Sequence, residues 1–470
     1  MNKKGSWGIV GMGVMGASLS RNFATHGYKL SLYNRYVKGK EEKVALKLAR
    51  KYNFFDEDLA FESLEDFVNS IRKPRKLILM LPAGEAIDEI LQNLKILLQK
   101  GDIIIDGGNS EFKDTERRTS FLKENEIQFI GMGISGGQKG ALEGPSLMIG
   151  GDRKAYETVK KDLNNIAAKD SKKNPCCSFL GSGGAGHYIK MVHNGIEYAE
   201  MQLLAEVFEI LMTYFKLDFK LIQNVLESWQ NSYSDGYLLR ITSTILSYYD
   251  SEGSNFVSKI LDKASNKGTG AWAAISGAVI GSPNSLMTAA LHARYTSSMK
   301  SKRIEFSKTS NFTKKESSIS LKQLKKVYDL CRWINHHQGF DMINTACKEY
   351  NWKTELATVA QIWSEGSILK SKLMETLGTS FCNSSSIMKM ETFQNSMNKS
   401  QKDWNSVINY SGGNLIPIPC ISASWNYFLA MTQPFSNANL IQAQRDFFGA
   451  HGFVFIDQKE NSLNHGPWNK

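Results

Sequence analysis

Trp7-Gly8-Ile9-Val10-Gly11-Met12-Gly13-Val14-Met15-Gly16-Ala17 decides the fold: a short apolar run, three glycines spaced GxGxxG, then an amphipathic stretch from Ala17 to His26. Glycines in that spacing between a strand and a helix let the backbone turn tightly and approach a pyrophosphate, whose charge then sits at the helix N-terminus. Without its flanks the motif is also an ordinary glycine turn, so the strand before it and the helix after it carry the reading. Working outward, Leu30 to Tyr33, Leu77 to Leu81, Ile103 to Ile105 and Gln128 to Ile130 are further short apolar runs. Amphipathic stretches such as Gly84 to Leu98 separate them, which predicts a doubly wound parallel sheet with helices on both faces.

After about residue 184 the strand signals nearly vanish. Helical periodicity marks 186–213, 219–230, 236–248, 319–336 and 353–376. The Ser/Asn/Lys/Met-rich stretch 379–402 reads as a loop or poorly packed excursion, and the end of the chain, with Gly449, Gly452, Gly466 and Pro467, reads as an extended tail. The expectation is an α/β Rossmann-type domain over 1–183, a large all-α domain over 184–438 and a short C-terminal tail over 439–470. A chain of 470 residues has room for two or three such units.

Composition narrows the partners. Lys and Arg outnumber Asp and Glu by 57 to 46, a net charge of +11 that favours anionic ligands. The basic cluster Lys38, Lys40, Lys43, Lys47, Arg50 and Lys51 has no interleaved aromatics and no nucleic-acid motif, so it reads as a solvated helix face and nucleic acid is not expected. Six cysteines without a CxxC or a Cys/His cluster suit neither a disulfide scaffold nor a zinc site; they read as reduced thiols of a cytoplasmic protein, with no metal expected. Glycines interrupt the apolar run after Lys3 and Lys4, so no signal peptide is expected, and no run approaches the roughly 18 apolar residues of a membrane span.

Three further segments carry chemistry. Tyr33-Asn34-Arg35-Tyr36 stands at the end of the second strand, where an NAD site usually has an acid for the ribose 2′-hydroxyl; Arg35 instead suits a 2′-phosphate, which favours NADP. Asp106-Gly-Gly-Asn109-Ser110 and Gly133-Ile-Ser135-Gly136-Gly137 follow the fourth and fifth of those strands, at the carboxyl ends where such sheets bind ligands. Asn109 suits a nicotinamide or substrate contact and the amides of Ser135 to Gly137 suit a carboxylate, with purely structural turns as the alternative. In Gly186-His-Tyr-Ile-Lys190-Met-Val-His193-Asn194-Gly-Ile-Glu197-Tyr198, Lys190, Asn194 and Glu197 fall at i, i+4 and i+7 on an otherwise apolar helix. Burial there would lower the lysine pKa and raise that of the glutamate, giving a general base and a general acid on one stripe. Taken alone, the pair also reads as solvated side chains at helical spacing.

Together these motifs resemble the decarboxylating 6-phosphogluconate dehydrogenases, within the β-hydroxyacid dehydrogenases, along essentially the whole chain. The markers are GMGVMG at 11–16, NR at 34–35, DGGNS at 106–110, SGG at 135–137, EGPSLMIGG at 143–151, GAGHYIKMVHNGIEY at 184–198, NKGTG at 266–270, ARY at 293–295 and NLIQAQRDFFGAH at 439–451. The resemblance implies an NADP-dependent oxidative decarboxylase of the pentose phosphate pathway, acting on 6-phosphogluconate. Lys190 matches the family's general base and Glu197 its acid. His193, Asn194, Asn109, Ser135, Gly136 and Gly137 match groups that orient the sugar acid. Gly11, Met12, Gly13, Val14, Met15, Gly16, Asn34, Arg35, Tyr36, Leu81, Pro82, Ala83 and Asn109 match cofactor contacts. Tyr198, Lys267, Thr269, Arg294 and, from the tail, Arg445 and His451 match the 6-phosphate site, and the resemblance implies a homodimer in which each tail completes its partner's site. The alternatives are a related dehydrogenase of another 3-hydroxy acid, or a weakly active NADP-binding paralogue.

The chain departs from the family pattern at Lys139, at Ala271, over Trp363 to Lys370 and over Tyr427 to Thr432. Those departures are expected to touch the helical scaffold and dimer contacts more than the chemistry.

Overall fold

The computed structural model describes residues 4–265, 268–308, 318–459 and 461–469. An eight-stranded sheet forms its N-terminal part: β1 (Trp7–Val10), β2 (Leu30–Tyr33), β3 (Ala60–Phe61), β4 (Lys76–Leu79), β5 (Ile103–Asp106), β6 (Gln128–Ser135), β7 (Ser146–Gly151) and β8 (Cys177–Gly181). Their order is β3-β2-β1-β4-β5-β6-β7-β8. All neighbours pair in parallel except β6 and β7, which are antiparallel. The sequence reading holds for β1, β2 and the cores of β4, β5 and β6. It missed β3, β7 and β8, and it ended β6 five residues early, because Gly131, Gly133 and Gly150 dilute the apolar signal.

Register places the ligand edge. Val10 pairs with Tyr33 on one side and Leu79 on the other, and Leu79 pairs with Asp106. The carboxyl ends of four strands therefore lie level, and the turns that leave them share one rim. The order reverses between β1 and β4, which opens the crevice where an open α/β sheet takes its ligand.

The chain then passes into a helical body around the helix Ala185–Thr213, buried on almost every side. Against it pack Thr269–Val279, Ser285–Ser298 and Leu321–Glu349. Inside, Arg332 donates to Glu200 at 2.8 Å, and Glu206 accepts the amides of Cys420 and Ile421 at the start of the helix Pro419–Thr432. A buried ion pair adds little net stability, yet losing one partner strands a charge, so Arg332 and Glu200 hold each other in place between their two helices.

Stretch 379–402 is mostly not a loop. Lys372–Ser380 and Glu391–Gly413 are helices joined by a connection over 381–390 that contains a single 3-10 turn, Ile387–Lys389. Phe393, Met397, Trp404 and Val407 are buried on the face of the second, against Leu321–Glu349. The Ser and Asn residues between them lower helix propensity, but packing of that one apolar stripe outweighs it. The segment 353–376 contains a break: Leu356–Trp363 ends before a turn that carries Gly366 at φ 64°.

The tail begins with the helix Ala438–Gly449 and, rather than remaining extended, closes upon Asp446. That carboxylate accepts from the amides of Gly452 and Gly466, the Trp468 indole and the His465 ring, and the Gly466 amide first among these holds it down at about 2.

Candidate active site

The glycine turn builds the cofactor end. Gly11 sits at φ 90°, and a Cβ there would meet the Met80 carbonyl at 2.6 Å; a Cβ on Gly16 would lie 1.9 Å from the Gly11 carbonyl. Both positions exclude a side chain, whereas Gly13 faces open space. The helix Val14–Thr25 starts there with no side-chain cap and no acid in its first turn. Its free amides and positive dipole end suit a diphosphate. Met12 N–H donates to Asn34 Oδ1 at 2.9 Å, joining the turn to the end of β2. Arg35 and Tyr36 are exposed beside it, and Arg35 Nη2 donates to Glu41 Oε1 at 3.2 Å. Leu81, Pro82 and Ala83 follow β4, and Leu81 lies against Gly11.

Asp106 organises the next turn. Its carboxylate accepts the Gly108 amide and the Ser110 hydroxyl at 2.9 and 2.6 Å, which leaves Asn109 exposed between buried neighbours. Buried Arg118 sits 3.5 Å from that carboxylate, donates to Ser110, and also holds Gly84 O and Asp88. One guanidinium thus ties the turn after β5 to the turn after β4. His187 links the same strand to the central helix, with Nε2 3.1 Å from Asp106 O and Nδ1 2.7 Å from Thr115 Oγ1.

The helix approaches the sheet through glycines. A Cβ on Gly133 would lie 2.4 Å from Lys190 Cβ, and one on Gly186 would lie 2.5 Å from the carbonyls of Gly131 and Met148. Gly131 and Gly133 point to one face of β6, as alternate strand residues do, so the seam admits His187 and Lys190 side by side. The amine of Lys190 ends up buried, and burial pulls its pKa down to about 8 against an opposing pull from Glu197. Glu197 is pushed up by burial, opposed by Lys190 and Arg294. Nδ1 of His193 stands 3.3 Å from Lys190 Nζ and 3.7 Å from Glu197 Oε2, and burial first of all holds this ring neutral. Its Nε2 is 2.9 Å from Ser135 Oγ, which in turn accepts the Ile368 amide at 3.2 Å. Asn194 is buried one turn on from Lys190. The stripe Lys190, Asn194, Glu197 is therefore desolvated, as the apolar flanks predicted.

Gly136 and Gly137 continue from Ser135 with positive φ, and a Cβ on Gly136 would strike Gly366 O at 2.5 Å. Trp363 and His193 pack with their rings nearly perpendicular, 5.3 Å apart between centroids. The departing segment Trp363 to Lys370 thus also lines the site, although its departures were expected to touch the scaffold and dimer contacts more than the chemistry. At the far end, the Arg294 guanidinium lies 3.6 Å over the Tyr198 ring and donates to Ser265 O, with Thr269 buried at the start of its helix. Lys267 lies outside the described residues. Arg445 and His451 are exposed and make their contacts within the tail, to Gln442 and Phe448. Glu41, Arg118, His187 and Trp363 escaped the sequence reading; only the exposed acid six residues after Arg35 had a local signal.

Fold and geometry together define a dinucleotide-binding α/β unit whose ligand rim meets a buried lysine and glutamate on a helix. Comparison with known proteins specifies the family: the NAD binding domain of 6-phosphogluconate dehydrogenase matches residues 6–181 and the 6-phosphogluconate dehydrogenase C-terminal domain matches 186–468. The chain is 37% identical over 475 residues to a decarboxylating 6-phosphogluconate dehydrogenase of Aggregatibacter actinomycetemcomitans, covering 100% of this chain and 97% of that one. It is 38% identical to one of Lactococcus lactis subsp. lactis, covering 98% of each. A solved structure of 6-phosphogluconate dehydrogenase from Plasmodium falciparum, described in apo form and in complex with NADP+ and with 6-phosphogluconate, superposes with a TM-score of 0.92 at 32% identity, covering 98% of this chain and 100% of that one. The chain belongs to the 6-phosphogluconate dehydrogenase family.

Proposed function

We propose that the protein catalyses the NADP-dependent oxidative decarboxylation of 6-phosphogluconate to ribulose 5-phosphate and carbon dioxide. The observation that carries this is the buried Lys190 amine, held at about 8 on the same helical stripe as a raised Glu197, at the ligand rim of a dinucleotide fold. NADP would be held by the uncapped helix start behind Gly13, by Asn34, Arg35 and Tyr36 for its ribose phosphate, and by Leu81 to Ala83. When bound, it supplies the nicotinamide that accepts hydride from substrate carbon 3.

Lys190 Nζ takes the proton from the substrate 3-hydroxyl, which a neutral amine near pH 8 is suited to do. As an ammonium it then donates to the new 3-carbonyl oxygen and draws electrons from the bond to the departing carboxylate. Glu197 delivers its proton to carbon 1 of the resulting enediol while Lys190 takes back the proton of the adjacent hydroxyl, which becomes the ketone of ribulose 5-phosphate. His193 and Asn194, with Asn109 and the Ser135 to Gly137 turn, orient the sugar acid. Tyr198, Lys267, Thr269 and Arg294 receive the 6-phosphate, where several donors and cations offset its charge.

We read the chain as three parts, 1–183, 184–438 and 439–470, acting as a homodimer with exchanged tails. Leu440, Ile441, Phe447, Phe448 and Ile456 of the tail are exposed, Ile456 at 98%, which a partner surface would cover. Arg445 and His451 would then complete the second copy's phosphate site. Six free cysteines support a reducing, cytoplasmic setting. Among the described residues no helix is long and apolar enough to cross a membrane.

The test is NADPH formation from 6-phosphogluconate with carbon dioxide trapped, set against gluconate and 3-hydroxyisobutyrate. Turnover with the phosphorylated acid alone is expected; equal turnover of gluconate would remove the phosphate site from the reading. For the tail, co-expressed Lys190→Ala and Arg445→Ala chains should regain activity in verified heterodimers, and no recovery would sink the exchange.

A further inference from the structure

We propose that Glu41 is a specificity-determining residue that competes with the cofactor 2′-phosphate for Arg35 and so narrows the preference for NADP over NAD. The inference rests on the reading of Arg35 as the 2′-phosphate contact. At the end of β2, Asn34 is fixed through Oδ1 by the Met12 amide, and its Nδ2 donates to Glu41 Oε2 at 3.0 Å. Arg35 Nη2 donates to the other oxygen, Oε1, at 3.2 Å. Each carboxylate oxygen thus has its own donor, and the carboxylate occupies the anion position that the two residues define. Arg35 first, then Asn34, holds the Glu41 carboxyl below the usual range, so it is charged at neutral pH.

The backbone places this acid on purpose-built geometry. Val37 N–H donates to Glu41 O at 2.9 Å, Glu41 N–H returns to Val37 O at 2.8 Å, and Lys40 N–H joins the same carbonyl at 3.0 Å. This tight turn brings a residue six positions beyond Arg35 back to the strand end. The side chains remain free to part: that of Arg35 is 66% exposed and that of Glu41 37%. A 2′-phosphate that pairs with Arg35 must displace the carboxylate or lie against a like charge. A bare 2′-hydroxyl has the opposite relation to Glu41, since a carboxylate at this edge accepts its hydrogen bond, as the acid at the end of the second strand does in NAD sites.

Binding of 2′,5′-ADP and 5′-AMP to the full-length protein isolates the 2′-phosphate from the rest of the cofactor. In Glu41→Gln, which keeps the shape and the Asn34 contact, 2′,5′-ADP should bind about threefold to tenfold tighter, the scale of one exposed charge contact, while 5′-AMP does not tighten. Unchanged or weaker 2′,5′-ADP binding overturns the proposal, as does equal tightening of both probes. In an Arg35→Ala background the gain should vanish, because no cation remains to compete for; a gain that persists also overturns it. Arg35→Ala alone separates the two readings: equal loss for both probes removes Arg35 from the 2′-phosphate site, whereas selective loss of 2′,5′-ADP with no response to Glu41→Gln leaves Arg35 in place and eliminates only the competition.

Discussion

Two sets of cation and carboxylate, one buried on the central helix and one at the cofactor rim, behave differently. Lys190 is seated where the helix meets β6, with 7% of it exposed, and Glu197 lies two turns further along the same helix with 22% of its side chain in solvent; burial moves both pKa values toward the neutral forms. Arg35 and Glu41 meet at the rim with 66% and 37% of their side chains in solvent, and there the pairing lowers the glutamate pKa. The same two charge types thus yield a base and an acid where burial dominates and a solvated ion pair where it does not. Desolvation costs more than a single contact returns, so depth in the fold decides which effect wins.

The sharpest way to break the comparison is at its buried end. Lys190→Ala should lower NADPH formation by about 10² to 10⁴, the range of general base catalysis, with NADP binding intact. A variant that kept a tenth of wild-type turnover would leave Lys190 without its role. Next in size, Glu197→Gln should depress kcat by about 10², while kcat/KM, which ends at release of carbon dioxide, suffers less.

Sign matters in the pH profile of the same variant. The reactive form of Lys190 is the neutral amine, so kcat/KM should rise with pH through about 8 in the wild type. The Glu197 carboxylate favours the ammonium, so removing it moves that limb to lower pH. A limb that moves upward would mean that the two groups do not sense each other.

Gly133→Ala probes how the buried pair is made. Its Cβ would meet Lys190 Cβ at 2.4 Å, and overpacking of this kind typically costs about 1–3 kcal/mol. Turnover should fall roughly tenfold to a hundredfold with the shift of Lys190, read against a modest fall in melting temperature. The smallest effect belongs to the rim: Arg35→Ala should weaken NADP about tenfold at low salt and less at high salt, with NAD nearly unchanged, because exposed charges are screened. A salt-independent loss would place Arg35 deeper than the structure does.

The sequence alone determined the doubly wound sheet, the ligand turns and the lysine–glutamate stripe, because each is written in local spacing: GxGxxG after an apolar run, glycine turns at strand ends, and i, i+4, i+7 on an apolar helix. Tertiary structure decided what has no local period. The glycines of β6 and β7 read as weak strand in sequence and become the seam that seats Lys190. Trp363 and the Ile368 amide reach His193 and Ser135 from over 160 residues away. Glu391–Gly413, read as loop from its Ser and Asn content, is a helix whose apolar stripe packs on Leu321–Glu349. Spacing encodes which face a residue takes; what lies across that face, and how dry the contact is, is set by the packed chain.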